Sequence, residues 1–203
     1  MTARLLFPTL IHESSLAAEA DFTELNADLE RACLELAEED GAGRAWSREH
    51  GYPGYTSYAS LDDLPVRDPA FGELKRRLDR EAAAFARELM LDMGRKPKLD
   101  SLWVNVLDPK GGHSGHIHPH SVISGTYYVS VPDGASALKF EDPRLPLMMA
   151  RPTLTDEASE DRRPFVYLRP APGTVLMWES WLRHEVPANA AKRKRISMSF
   201  NYR

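Results

Sequence analysis

The densest run of chemically able side chains is HSGHIHPH, residues 113–120, which holds four of the seven histidines in a chain of 203 residues. His116 and His118 stand two apart. On a β-strand that spacing puts both imidazoles on one face, so two ring nitrogens can reach one ion. A metal needs at least a third ligand, and His184, in WLRHEVP, is the best candidate. It lies far along the chain, so only the fold can bring it close. Three neutral imidazoles would leave positions open on a first-row metal, as catalysis requires. The plainer reading is a polar, histidine-rich loop with an unrelated His184. His113 and His120 receive no role, since their rings could point elsewhere.

The C-terminal segment carries a second signal. From Arg195 to Tyr202 the residues alternate strictly: Ile196, Met198, Phe200 and Tyr202 share one strand face, and Arg195, Ser197, Ser199 and Asn201 share the other. The ordinary reading puts the apolar face in a core and the polar face in water. The other reading has helices covering the apolar face while the polar face lines a cavity. Arg195 would then be an anion clamp, because a guanidinium binds a carboxylate through two parallel hydrogen bonds.

Helices are available for that cover. Leu25, Leu29, Ala32, Cys33 and Leu36 recur at helical spacing, which predicts a helix capped by Ser14 or Ser15, running to about Asp40 and ended by Gly41 and Gly43. Asp68 and Pro69 open a second helix whose face is Phe71, Leu74, Leu78, Ala82, Phe85 and Leu89, with Gly94 as its stop. A short strand is expected at 5–12 and a loop at 51–60. From Leu99 the pattern changes to strands near 100–107, 115–119, 123–131, 137–140, 164–169, 174–178, 183–187 and 194–202. Eight short strands with frequent turns predict a sandwich or jelly roll. The Pro-rich, charged stretch 144–163 has no period and is expected to be a long loop of the kind that forms lids or binding segments. The expected organisation is one domain, 1–203: a helical support region at 1–98 and a jelly-roll core with the metal site at 99–203.

Composition narrows the alternatives. Hydrophobic residues are 42 % and charged residues 28 %, with a net charge of −4, a globular balance. The run Lys192–Arg195 is a solvated turn before it is a nucleic-acid footprint, which needs a concentrated basic face. The one cysteine, Cys33, precludes an internal disulfide and reads as a small core residue. No apolar run approaches the ~20 residues of a membrane span, and the N-terminus lacks a signal-peptide layout. A cytoplasmic protein is the simplest expectation, with a homodimer through exposed edge strands possible.

A His-x-Asp/Glu pair, a distant His and an Arg about ten residues later mark the iron(II)/2-oxoglutarate oxygenases built on a double-stranded β-helix, and this chain resembles them. More narrowly, WVNV at 103–106, HIHPHSVISGTYYVSVP at 116–132, FEDPR at 140–144, SWLRHEVP and RISMSFN look like a bacterial and phage family of 2-oxoglutarate/iron(II) oxygenases, and the opening LFPTLIHE is similar to that family's start. The resemblance spans nearly the whole chain. Its implied fold is mainly β: a jelly roll with two or more N-terminal helices packed on the outer face of one sheet.

By the same resemblance, His116, His118 and His184 would hold Fe(II). Arg195 would pair with the distal carboxylate of 2-oxoglutarate, with Ser197 donating to it and Tyr128 helping to hold it. Tyr127 would then face away. Asn105 would line the pocket, and Trp178 and Trp181 would be wall residues. One departure is visible: the wider superfamily places a carboxylate where this chain has His118, which adds one unit of positive charge to the site. Glu141 and Asp142 follow the next strand, a position that argues against their replacing it. The implied activity is hydroxylation of an unknown small-molecule or peptide substrate, at the expense of 2-oxoglutarate and dioxygen. The alternatives are a three-histidine, cupin-like metal dioxygenase that ignores 2-oxoglutarate, and a non-catalytic jelly-roll binding protein.

Overall fold

The computed structural model describes residues 3–203. The first half holds β1 (Ile11–Ser15), α1 (Phe22–Glu39), α2 (Gly41–Glu49), β2 (Gly54–Thr56), α3 (Leu64–Arg67) and α4 (Pro69–Glu88). The second half holds β3 (Leu99–Leu107), β4 (His113–His116), β5 (Ile123–Ser130), β6 (Leu138–Glu141), β7 (Phe165–Leu168), β8 (Thr174–Glu179), β9 (His184–Val186) and β10 (Arg195–Tyr202). The strands form a six-stranded sheet, β1-β8-β5-β10-β3-β2, and a four-stranded sheet, β4-β9-β6-β7. Every pairing is antiparallel. The eight strands from β3 onward divide equally between the sheets, four in each, as in a jelly roll.

The larger sheet is buried on both faces. Ile196, Met198, Phe200 and Tyr202 of β10 join Leu102, Val104 and Val106 of β3 on the outer face, in one apolar cluster with Leu29 and Cys33 of α1 and Leu74 and Phe85 of α4. The opposite face, between the sheets, carries a smaller cluster of Tyr128, Leu138, Phe140, Leu176, Trp178 and Leu182. Helices thus cover the apolar face of β10, and its polar face turns inward. Arg77 of α4 locks the helical layer to the chain's start: it is 5 % exposed and pairs with Glu73, Asp21 and Glu19.

Several boundaries differ from the sequence reading. The first strand is Ile11–Ser15 rather than 5–12. Ser15 caps a 3₁₀ turn, accepting from the Ala17 amide, and α1 begins only at Phe22. Gly41 and Gly43 do not end helical structure but open α2, because the Asp40 carboxylate accepts from the Gly43 amide at 2.9 Å, from the Tyr55 hydroxyl at 2.9 Å and from the Ser60 hydroxyl at 2.5 Å. A Cβ at residue 43 would overlap the Asp40 carboxylate and the Tyr55 ring, so close approach selects this glycine. The 51–60 stretch contains β2, paired with β3. β4 ends at His116, so His118 lies beyond the strand expected at 115–119.

The edge strand β1 is tied to α4 by His12, whose Nε2 lies 2.7 Å from Glu81. The Glu81 partner raises the His12 pKa above 6.5, and His12 lowers that of Glu81 below 4.5. The His12 contribution is fully present below pH 6.5 and is lost as pH rises through its raised folded value; that of Glu81 is present above pH 4.5 and is lost as pH falls through its depressed one. His12→Asn should therefore destabilise the fold by about 1–2 kcal/mol near pH 5.5 and far less at pH 9. Urea unfolding at both pH values measures the difference, and an equal loss at both would exclude the ion pair as its source.

Candidate metal centre

The inward face of the larger sheet is organised in rows across paired strands. At one end Asn201 of β10 faces Ser101 of β3 and Ser124 of β5, and Ser124 faces Trp178 of β8. The next row is Trp103, Ser199, Thr126 and Leu176. The third is Asn105, Ser197 and Tyr128, and Arg195 opposite Leu107 closes the far end. Paired residues share a face, so one end of this surface is rich in small polar groups and the other holds a guanidinium.

The histidines gather over the first row. His116, His118 and His184 each offer a ring nitrogen, and these nitrogens lie within 4.8 Å of one another. Register explains two of them: His116 of β4 pairs with His184 of β9. His118 is placed by its backbone amide, which donates to the Ser180 carbonyl at 2.9 Å. Alternation on a strand therefore accounts for His116, and a loop hydrogen bond accounts for His118.

All three rings are held in the same sense. The Nδ1 atoms face oxygen acceptors: the Ser114 carbonyl at 2.8 Å for His116, the Asn201 side-chain oxygen at 2.6 Å for His118, and the Leu182 carbonyl at 2.9 Å for His184. The Asn201 amide is oriented by its own donation to Ser101 at 3.0 Å, while Ser124 donates to its oxygen at 2.7 Å. A neutral imidazole with its proton on Nδ1 has its lone pair on Nε2. Three Nε2 lone pairs thus remain for one cation, the arrangement that orients histidine ligands in metal sites. Burial lowers the pKa of all three rings, and that of His184 falls to about 3. At neutral pH protons do not compete for those lone pairs.

The anion end fits equally well. Arg195 is 3 % exposed, and its Nε has no hydrogen-bond partner among the described residues. Its guanidinium lies 5.0 Å from the centre of the Tyr128 ring. The Tyr128 hydroxyl is also buried without a partner, and burial pushes its pKa up to about 12, so it is a protonated donor. Ser197 is buried in the adjoining row. Tyr127 points to the helices and donates to Asn26 at 2.8 Å. A buried cation and a buried hydroxyl, neither satisfied by protein, suit a carboxylate, and three imidazoles suit a divalent first-row metal. The residues present therefore fit both iron(II) and 2-oxoglutarate.

Other expected residues take different places. Asn105 spends most of its amide on protein partners: its oxygen accepts from Tyr52 at 3.2 Å and Thr56 at 3.0 Å, and its nitrogen donates to Ser199 at 3.1 Å. It positions Tyr52, which nothing in the sequence marked. His113 stacks on His116 with ring centres 4.2 Å apart and meets Tyr52 edge-on, outside the ligand set. His120 is exposed at a positive φ of 71°. Trp178 is buried against His184, and Trp181 is 46 % exposed. Glu141 pairs with Arg183 and Asp142 with Arg144, so neither replaces a ligand. The 51–60 segment flanks the centre through Tyr52 and through Tyr58, whose ring meets Trp103 at 5.2 Å. The 144–163 stretch, largely irregular, bounds a separate surface cavity of about 600 Å³ with Phe165 and Tyr167.

A jelly roll with a three-histidine cluster at one end of its interior and a buried arginine at the other has the architecture of a non-haem metal oxygenase. Residues 101–201, the jelly-roll part of the chain, match the family model described as "Putative 2OG-Fe(II) oxygenase". The fold is shared with solved structures at low identity. A Pseudomonas putida prolyl-4-hydroxylase is 17 % identical, with 96 % of this chain and 93 % of that chain covered at a TM-score of 0.63. The carbocyclase SnoK from nogalamycin biosynthesis is 15 % identical, with 96 % and 79 % covered and a TM-score of 0.65. EctD from S. alaskensis, solved with 2-oxoglutarate and 5-hydroxyectoine, is 16 % identical, with 96 % and 72 % covered and a TM-score of 0.66. No curated protein matches the chain in sequence.

Asn201 is the polar group that sets the His118 ring. Asn201→Ala should weaken divalent-metal affinity about 10- to 100-fold, the usual effect of removing such a support. Competitive titration with a metal-sensitive dye reads this directly; affinity within twofold of wild type would show that His118 orients itself.

Proposed function

We propose that this chain hydroxylates a C–H bond of a small-molecule or peptide substrate, with His116, His118 and His184 as the iron(II) ligands and Arg195 as the anchor for 2-oxoglutarate. The observation that carries this reading is the pairing of two unsatisfied features on one buried surface: three converging imidazole lone pairs and, rows away, a guanidinium without an acidic partner. Iron(II) and 2-oxoglutarate, when bound, supply oxidative decarboxylation to succinate and carbon dioxide, with dioxygen providing the oxygen atom transferred to substrate.

The chain's own residues perform the positioning. Arg195 offers its two-pronged donor edge to the distal carboxylate, and Tyr128 adds an O–H donor beside it. Ser197, in the same row as Tyr128, is a third donor to that end. Asn201, Ser114 and Leu182 hold the imidazoles so that no reorientation is needed when the metal enters. Leu176, Phe140 and Leu182 exclude water from the interior, which strengthens every charge interaction there. Trp103, Tyr52 and Tyr58 form the side of the centre where substrate is taken to approach. The segment at 51–60 then supplies substrate contacts. A cytoplasmic setting belongs to this reading; in its support, Cys33 is buried and unpaired, and no helix among the described residues is long and apolar enough to cross a membrane. A homodimer is compatible with it, since β2 and β7 lie at sheet edges.

Two variants separate the ends of the site. His184→Ala should abolish stoichiometric iron binding. Arg195→Ala should keep iron but raise the KM for 2-oxoglutarate at least about 100-fold, the effect of removing one partner from a buried charge pair. Succinate release and metal analysis check both. Equal succinate turnover in wild type and Arg195→Ala would remove Arg195 from co-substrate binding and favour the cupin-like alternative.

A further inference from the structure

At the metal end of the site the protein holds a further unsatisfied donor. Trp178 of β8 is 1 % exposed, and its indole Nε1 has no hydrogen-bond partner among the described residues. The surrounding side chains explain why. Its ring stands edge-on to Phe140, with centres 5.2 Å apart, and edge-on to His184 at 4.6 Å, and it packs with Leu176 and Leu182. None of these side chains offers a free oxygen. The Nδ1 of His184 is already engaged by the Leu182 carbonyl. A buried N–H without an acceptor is rare in folded proteins and calls for a reason.

Trp178 also has a definite place along the site. It lies opposite Ser124, in the row that supports the His118 ring through Asn201. Tyr128 is four residues further along β5, about 13 Å of extended chain. The indole is therefore at the metal end, away from the carboxylate that Arg195 and Tyr128 would take. We infer that Trp178 is a positioning residue for the 2-oxo-acid end of the co-substrate: its N–H donates to the carboxylate oxygen next to the oxo group that faces away from the metal. This rests on the reading of the centre as an iron(II)/2-oxoglutarate site and extends it. The distal carboxylate is then read by Arg195 and Tyr128, and the proximal one by the metal and Trp178. The donor is neutral, so it fixes the rotation of the oxo-acid plane without adding charge beside a metal that already lacks an anionic protein ligand.

Trp178→Phe deletes the N–H and keeps an aromatic ring. Removing an unpaired buried donor does not destabilise the ligand-free protein through hydrogen bonding. Without co-substrate, the variant should melt within a few degrees of wild type and bind iron(II) equally well. Its dissociation constant for 2-oxoglutarate, from anaerobic titration of the iron(II)-co-substrate absorption band, should rise about tenfold. A value within twofold of wild type overturns the inference. Should the variant fail to fold, the wild-type protein provides the test. With zinc(II) in place of iron and ¹⁵N-labelled tryptophan, one of the four indole N–H signals should move downfield and exchange more slowly on addition of 2-oxoglutarate. Four unmoved signals also overturn it. If wild type with iron(II) binds no 2-oxoglutarate at all, the underlying reading of the site fails; binding with an unaltered Trp178→Phe constant removes only Trp178.

Discussion

The constraint on the rest of the structure is a buried guanidinium, Arg195, that has no carboxylate partner among the described residues. Arg195 is 3 % exposed, with an unpartnered Nε. Leaving a buried ion unpaired is among the more destabilising things a small protein can do. The chain accommodates it because the other face of the same strand is buried in the core. Ile196, Met198, Phe200 and Tyr202 are almost wholly buried beneath α1 and α4, each worth about 1.5–3 kcal/mol of transfer free energy by the scale for large apolar side chains. The helical layer is thus not an accessory to the jelly roll. Without it the polar face of β10 would be the only face able to meet water, and Arg195 would leave the interior.

The charge balance of the centre follows from the same constraint. A carboxylate in place of His118 would partly neutralise a divalent ion. In the proposed centre the three imidazoles are neutral, and so is the group behind His118, the Asn201 amide. With Arg195 at the far end, the metal-loaded interior carries about three positive units and no negative side chain among the named rows. A dicarboxylate of two negative charges answers that excess better than a single anion can. Metal and co-substrate are accordingly coupled: each lowers the electrostatic cost of the other in a low-dielectric space. On the proposed reading the third imidazole therefore makes the site more dependent on its anionic co-substrate.

Much of this was legible from the chain, for reasons that can be named. Strict alternation over Arg195–Tyr202 announced a strand with one apolar and one polar face, and the helical stripes of 25–36 and 71–89 supplied cover for the apolar one; alternation alone does not decide whether the polar face meets water or a cavity. The pair His116/His118 and the distant His184 were recoverable because few other patterns place four histidines in eight residues. What escaped depends on tertiary contacts. Gly41 and Gly43 carry a local stop signal, yet Asp40, fixed by Tyr55 and Ser60, turns them into a helix start. His118 left its strand because the Ser180 carbonyl captured its amide. Asn105 matched a pocket position but is largely consumed by Tyr52, Thr56 and Ser199, and Tyr52 sat in a segment with no period at all.

The distribution of unsatisfied groups completes the physical picture. Of five such side-chain groups among the described residues, three, Trp178 Nε1, Tyr128 Oη and Arg195 Nε, lie between the two sheets, on strands whose opposite faces belong to the helix-covered core. A core assembled for stability alone would have apolar side chains at these positions, since replacing an unpaired donor by a shape-matched apolar group is neutral or favourable. On the proposed reading their polarity is a loss that a co-substrate rich in acceptor oxygens recovers. Because recovery occurs on binding, the ligand stabilises the folded state by mass action. On the proposed reading that recovered free energy contributes to co-substrate affinity, and the apolar face turned to the helices and the polar face turned to the site are opposite faces of the same strands.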